Sequence, residues 1–274
     1  MGTVTAAARS SVKAAAAAAA LLRPRRRGVV VLAYHRVGAG SGLQVDLPAS
    51  LFEEQVAEIA DRAVALDVAL AALKHPEPEA QTNTDPVVVT FDDGTADFAE
   101  VAFPILERHG VPAVVYVATG YLEEGRDFPA GGRPLSWRAL ADVVSTGLVE
   151  VGSHTHGHAL LDRLGRDEVA GELDRSIALV SERVGVVARH FAYPKALAPS
   201  PWADAAVRQR FESAALAGTR ANWYGATDPY RLARSPVQVA DGMRWFRRKV
   251  AGGLALEDDA RRVLNRRRYS GAST

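Results

Sequence analysis

The chain alternates between short apolar runs and segments in which apolar residues recur every three or four positions. Residues 87–89 are three consecutive valines, and such a β-branched run is typical of a strand buried on both faces. Phe52, Val56, Ile59 and Ala63 instead follow helical spacing. The pattern therefore predicts an α/β protein in which strands and helices follow one another along the chain.

Strands and helices can be assigned along most of the sequence. Strands are predicted at about residues 29–34, 87–89, 114–117, 149–151, 191–193, 213–216 and 232–239. Helices are predicted at about residues 52–73, 98–109, 137–146, 167–184, 203–210, 243–251 and 258–268, with Ser136 as a helix N-cap. Strands separated by helices predict parallel pairing with right-handed crossovers. The 274 residues suit one large domain, and no internal repeat or second domain is evident.

The first candidate for chemistry is the end of the valine strand, where Asp92, Asp93 and Gly94 follow one another. Side chains alternate along a strand, so one carboxylate can face a metal while its neighbour faces a substrate. Gly94 allows a sharp turn at the carboxyl end of the strand, where chemistry is found in barrels and open α/β sheets. An ordinary Asp-Asp-Gly turn that closes a strand is the alternative for this stretch taken alone.

A second candidate follows the strand that begins at residue 149. Five consecutive residues contain three of the chain's seven histidines, His154, His156 and His158. The chain has no cysteine that could bind a metal instead. His154 and His158 are four apart, a spacing that places two imidazoles on one side of a helical turn. A carboxylate with two imidazoles leaves open positions on a divalent ion, which is the pattern of a hydrolytic metal centre.

The third motif is Arg189-His190-Phe191-Ala192-Tyr193-Pro194, which alone would be an edge strand ended by proline. The motifs occur in the order Thr90-Phe91-Asp92-Asp93-Gly94, His154-Thr155-x-x-His158 and Arg189-x-x-x-x-Pro194. In this order they resemble the polysaccharide deacetylase family, the NodB-homology or carbohydrate esterase 4 group. Residues 32–37 resemble that family's opening strand, and residues 104–113 resemble the helix and strand after its Asp-Asp motif. The resemblance covers about residues 28–240.

The resemblance implies a fold and a metal site. The fold is a distorted (β/α)7 barrel with seven strands rather than eight, formed by a single domain. Asp93, His154 and His158 are implied to bind one divalent metal ion, with zinc as the expected ion. His156 lies off the matching positions, so it is expected to be exposed to solvent or to lie behind the ligands rather than to bind the metal.

The resemblance also implies the roles of three residues around the metal. Asp92 would be the general base that takes a proton from the attacking water. The backbone N–H of Tyr193 would complete the oxyanion site. Arg189 would orient Asp92 and keep it ionised, because a nearby cation stabilises a carboxylate. The alternative for Arg189 is an ordinary cation at the end of a strand.

The general acid is the main departure from the family pattern. Many members carry a late Leu-x-His motif, but this chain has no histidine after His190. Some members that act on β-1,6-linked glucosamine polymers place this histidine on the first strand, where His35 stands here. We therefore expect His35 to be the general acid, with Asp46 as a candidate carboxylate partner. The alternative is a histidine that caps the strand through a backbone hydrogen bond.

The residues leave more than one function open. The favoured one is a metal-dependent hydrolase that removes acetyl groups from an N-acetylated sugar or polysaccharide. A second is hydrolysis of another small C–N substrate, since the family also includes enzymes that act on small amides and cyclic ureides. A third is a degenerate barrel that binds glycan or a partner without turnover.

Composition and the terminal segments add limits on partners and compartment. The formal net charge is +1, which implies no strong attraction to nucleic acid, and the absence of cysteine excludes disulfides and thiolate ligands. Residues 1–27 form a low-complexity extension rich in Ala and Arg, and residues 241–274 are expected to form a helical, basic extension. Their arginine clusters are either solvated tails or contacts for an anionic membrane surface. Charges after the apolar run at 14–22 disfavour export, so we expect a cytoplasmic protein.

Overall fold

The computed structural model describes residues 27–74 and 84–252. Within these ranges seven parallel strands form a barrel, which closes because the last strand pairs with both the sixth and the first. The barrel strands are β1 (Gly28–Tyr34), β2 (Val87–Phe91), β3 (Ala113–Val117), β4 (Val149–Ser153), β5 (His190–Ala192), β6 (Ser213–Ala217) and β7 (Leu232–Pro236). The predicted (β/α)7 barrel of a single domain is therefore confirmed.

Helices connect the strands and cover the barrel. They are α1 (Ala49–Ile59), α2 (Leu66–Lys74), α3 (Phe103–Arg108), α4 (Thr119–Glu124), α5 (Trp137–Ser145), α6 (Arg166–Val184), α7 (Pro201–Arg210) and α8 (Gly242–Val250). A π-helical turn at Phe98–Ala102 leads directly into α3. The Ser136 hydroxyl accepts a hydrogen bond from the Ala139 N–H, so the predicted N-cap of α5 is confirmed.

Shorter elements complete the description. Arg36–Val37 pairs with Asp46–Leu47 in a separate two-stranded sheet, and Asn222–Trp223 runs antiparallel to the start of β1. Single 3-10 turns lie at Ala60–Arg62, Leu161–Arg163, Pro194–Ala196, Pro229–Arg231 and Val239–Asp241.

The barrel strands are buried on both faces, as the valine run of β2 predicts. Alternate residues such as Val87 and Val89 pack in the large core shared with the surrounding helices. The residues between them, such as Val88, pack in a second core with residues of the other strands. Leu66 and Leu70 of α2 belong to this second core, so α2 covers the interior of the barrel at one end. That end is the amino end of the strands, because the Val64 N–H donates to the Val87 carbonyl at the start of β2.

The packed barrel includes α8, which follows the last strand. Phe246 and Val250 are fully buried in the core that the helices share with the sheet. The helix expected at 258–268 lies outside the described residues, and so does the extension expected at 1–27, except for Arg27. None of the described helices is both long and apolar enough to cross a membrane.

Candidate active site

The turn after β2 directs two adjacent carboxylates to different neighbours. Asp93 and Gly94 both have left-handed backbone conformations, with φ of 73° and 88°. A Cβ on Gly94 would lie 2.9 Å from Val117 Cγ1, so this turn requires glycine for space as well as for its dihedral angle. The turn leaves Asp92 facing the barrel interior and brings Asp93 to the histidine segment.

Asp92 is held by an arginine from the opposite end of the chain. Arg234 of β7 donates from Nη1 to Asp92 Oδ1 at 2.5 Å and from Nη2 to Oδ2 at 2.9 Å. Arg234 Nη1 also lies 3.1 Å from Thr90 Oγ1, and the guanidinium carbon is 5.1 Å from the centroid of the Tyr116 ring. Both partners of the ion pair are buried, so this is a bidentate contact shielded from water.

The ion pair determines the charge on Asp92. Burial alone would raise the pKa of Asp92, but the Arg234 guanidinium, with smaller contributions from His154 and His35, holds it below its usual range. Burial would likewise lower the pKa of Arg234, and Asp92 reverses that effect. Asp92 is therefore a carboxylate at neutral pH, able to accept a proton.

Asp93, His154 and His158 converge on one point beside Asp92. Asp93 Oδ1 lies 3.7 Å from His154 Nε2 and 3.3 Å from His158 Nε2. The predicted helical turn is wrong: residues 154–158 form an irregular loop in which Thr155 and His158 have positive φ. The Thr155 hydroxyl accepts from the Ala159 N–H at 2.9 Å and holds this turn, which brings the two imidazoles together without a helix.

The chemistry of these three side chains fits a divalent metal. His154 Nδ1 lies 2.7 Å from the Ala192 carbonyl oxygen, which directs the other ring nitrogen, Nε2, towards Asp93. Burial lowers the pKa of His154 to about 4, so at neutral pH its imidazole is uncharged and has a lone pair to give. One carboxylate oxygen and two imidazole nitrogens are typical ligands of a catalytic zinc site.

His35 lies across the same cavity. It follows β1, and its Nε2 is 4.0 Å from Asp92 Oδ2, with the side chain 29 % exposed. The expected pairing with Asp46 is wrong, because the Asp46 carboxylate accepts hydrogen bonds from the backbone N–H groups of Ala39 and Ser41 and from the Ser41 hydroxyl. The carboxylate that faces His35 is Asp92.

The expectation that Arg189 orients Asp92 is wrong. Arg189 precedes β5 and lies at the amino end of the strands, where it contacts Asp67, Glu150 and Glu212. Asp92 is at the other end of the barrel, paired with Arg234. A charged residue inside the short apolar strand β7 was the sequence signal for this partner, because a buried arginine needs a counter-charge.

The expected oxyanion role of the Tyr193 backbone is also wrong. The Tyr193 N–H donates to the Ala215 carbonyl at 3.1 Å, so it is used between strands β5 and β6. Its ring packs edge-on against Phe191 in a core cluster under α7. His156 is half-buried and its Nδ1 lies 3.1 Å from Thr119 Oγ1, which agrees with a place behind the ligands.

These side chains surround a cavity of about 160 Å³ at the carboxyl ends of the strands. Its wall includes His35, Asp92, Asp93, His154, His158, Arg234, Lys195 and Ala196. Lys195 and Ala196 have φ of 55° and 53°, which is unusual for residues other than glycine. Both residues therefore adopt a backbone conformation that glycine takes without strain.

The chain is similar to known proteins in sequence and in fold. The sequence model of the family described as Polysaccharide deacetylase matches residues 79–214. The chain is 26 % identical to IcaB from Ammonifex degensii, with a TM-score of 0.69, covering 80 % of this chain and 97 % of that one. The Streptococcus pyogenes deacetylase PplD, solved with acetate, has a TM-score of 0.69 at 21 % identity, covering 82 % and 99 %.

A third solved structure is also similar to the chain, whereas no curated protein is. A de-N-acetylase from Aggregatibacter actinomycetemcomitans has a TM-score of 0.67 at 19 % identity, covering 81 % of this chain and 99 % of that one. No curated protein matches the chain. The family match includes Asp92, Asp93, His154 and His158, whereas His35 and Arg234 lie outside it.

Proposed function

The chain belongs to the polysaccharide deacetylase family, and on that basis we propose that it is a zinc-dependent hydrolase that removes N-acetyl groups from a saccharide. The observation that carries the proposal is the convergence of Asp93, His154 and His158 beside an ionised Asp92 in one cavity. The reaction adds water across the amide, so that acetate and a free amine leave.

Asp93, His154 and His158 would hold the ion at the cavity wall. Burial keeps His154 neutral, and its contact with the Ala192 carbonyl oxygen directs Nε2 towards Asp93. A bound zinc would lower the pKa of a water molecule and polarise the acetyl carbonyl.

Asp92 is the general base. Its carboxylate takes the proton of the attacking water while the new C–O bond forms. Arg234 is a positioning residue, because its two hydrogen bonds fix the plane of that carboxylate and its charge keeps it ionised.

His35 is the general acid. An amine is a poor leaving group, so the C–N bond breaks only when its nitrogen receives a proton, and histidine is suited to supply one near neutral pH. His35 Nε2 lies 4.0 Å from Asp92 Oδ2 and lines the same cavity, so the proposed acid and base can reach one bound amide. No other histidine besides the two metal ligands lines this cavity among the described residues.

The cavity limits what the substrate can bury. A volume of about 160 Å³ is smaller than the roughly 300–1,000 Å³ of sites that enclose a whole small ligand. It suits an acetamido group, while the sugar that carries it lies across the open mouth. PplD was solved with acetate, the acid that such a reaction would release.

The test is acetate release from N-acetylglucosamine monomers and oligomers, with simple acetamides and cyclic ureides as the comparison. We expect release from the saccharides and a rate that increases with oligomer length. Turnover of the small amides alone would instead support a hydrolase of other C–N bonds. Binding of the oligomers without release by zinc-loaded protein would support a glycan-binding barrel.

A further inference from the structure

A second group of candidate metal ligands lies at the opposite end of the barrel. Asp67, Glu150 and His190 each offer one ligand atom, and these atoms lie within 4.8 Å of one another. His190 Nε2 is 3.2 Å from Asp67 Oδ1 and 3.3 Å from Glu150 Oε2. Two ligands of a tetrahedral zinc ion at about 2.0–2.1 Å are roughly 3.3 Å apart, so these separations match ligands that share one ion.

The group is separate from the active site. Glu150 lies in strand β4 and the metal-site residue His154 follows directly after its last residue, and four residues of extended chain span roughly 13 Å. The Tyr116 ring fills the space beside Gly152 between them, since a Cβ there would lie 2.4 Å from the ring. The two clusters therefore face opposite ends of the barrel and cannot share an ion.

His190 shows the clearest need for a partner. Its side chain is 1 % exposed, and Nε2 makes no hydrogen bond with any described residue. The other ring nitrogen, Nδ1, lies 2.9 Å from Ser213 Oγ, which fixes the plane of the ring. A buried ring nitrogen that lies 3.2 and 3.3 Å from two carboxylate oxygens, without a hydrogen bond to either, is placed to share a metal ion with them.

The surrounding charges favour a divalent cation. Asp67, Glu150 and Glu212 supply three carboxylates, and Arg189 is the cation that contacts all three. Three carboxylates against this one guanidinium leave negative charge in excess around the site. Arg189 binds Asp67 through Oδ2, which leaves Oδ1 facing His190. Glu150 Oε2 faces His190 and also accepts a long hydrogen bond of 3.5 Å from Arg189.

We propose that Asp67, Glu150 and His190 form a second site for a divalent cation such as zinc, which ties α2 to β4 and β5. Glu150 and His190 also line a surface cavity of about 390 Å³, so an ion can reach the site from solvent. Because α2 covers the amino end of the barrel, the expected role of this ion is structural. The proposal does not depend on the deacetylase activity.

The experiment counts zinc in full-length, tag-free protein whose active site cannot hold metal. In an Asp93→Asn/His158→Ala background, protein is equilibrated with zinc, desalted and analysed by plasma mass spectrometry. We expect about one zinc per chain, and a loss of nearly all of it when Glu150→Gln or Asp67→Asn is added. Glu212→Gln is the matched control, because it removes a carboxylate that contacts Arg189 but is not one of the three ligands, and it should keep the zinc.

Either of two zinc counts would overturn the proposal. One is a background protein that retains no zinc, and the other is retention that Glu150→Gln and Asp67→Asn leave unchanged. Circular dichroism shows whether each variant folds. Anomalous scattering from zinc-soaked crystals of the background protein locates the ion directly and does not depend on a further substitution. A peak beside His190 Nε2 would support the site, and the absence of a peak there would refute it.

Discussion

Replacing Arg234 with methionine tests the most specific feature of the candidate active site, the bidentate ion pair between Arg234 and the proposed general base Asp92. Methionine removes the charge and leaves the buried Asp92 carboxylate without its two hydrogen bonds. Removing one partner of a buried ion pair typically costs about 3–5 kcal/mol, because the remaining charge is unpaired. Asp92 can lower this cost by taking up a proton, because the neutral carboxyl group is less costly to bury than the carboxylate. Each unit by which the pKa of Asp92 rises corresponds to about 1.4 kcal/mol.

The sign of the pH effect follows from the direction of the pKa shift. In the native protein the pKa of Asp92 lies below its unfolded value, so the ion pair stabilises the fold above that value. This contribution is lost as the pH falls through the folded-state pKa. In Arg234→Met, burial acts unopposed and raises the pKa, so the acid limb of kcat/KM should move to higher pH by about 1–3 units.

The assay is acetate release from an N-acetylglucosamine oligomer between pH 4 and about 9, together with urea unfolding at pH 7. Arg234→Lys should restore part of the shift, because it returns the charge without the bidentate geometry. Arg189→Met is the matched control: its cation lies at the other end of the barrel, so the acid limb should stay in place. An unshifted limb in Arg234→Met, or an equal shift in Arg189→Met, would refute the reasoning.

Three further substitutions test individual residues. Asp92→Asn keeps the size of the side chain but removes the base, so the metal content should be unchanged while the rate of acetate release falls by about a hundred-fold or more. Loss of metal from this variant would mean that the roles of Asp92 and Asp93 are reversed. His35→Ala should slow the release of amines but not the hydrolysis of phenyl acetate, whose leaving group needs little proton help; equal losses would mean that His35 only shapes the cavity. Ala196→Gly should stabilise the protein by about 1 kcal/mol in urea unfolding, because alanine at φ 53° is strained, and destabilisation would contradict this.

The local parts of the site were predictable from the sequence. The Asp92–Asp93 turn follows a fully buried strand, and the histidines follow the carboxyl end of another, so strand order alone brings these groups to one mouth. The family resemblance then divided the carboxylates between base and ligand. His154 and His158 converge through an irregular loop rather than a helical turn, because positive φ values at Thr155 and His158 reverse the chain.

The long-range partners were not predictable in the same way. Arg234 lies 142 residues from Asp92, and it reaches the base only because the barrel closes β7 onto β1. Arg189 begins the third motif and precedes the short strand β5, whose amino end lies beside α2, so its guanidinium contacts Asp67. Motif spacing along the chain does not say which end of a strand a residue occupies, and that end determines its partner.

The central claim, a hydrolytic metal centre at Asp93, His154 and His158, is tested most directly by zinc titration of chelated protein. Acetate release from an N-acetylglucosamine oligomer is followed as zinc is added back, in parallel for the native chain and for Asp93→Asn. The account predicts that chelation abolishes release, that zinc restores it in the native chain, and that Asp93→Asn stays inactive at the same zinc concentration. Release that survives complete removal of divalent metal, or that Asp93→Asn supports as well as the native chain, would contradict it.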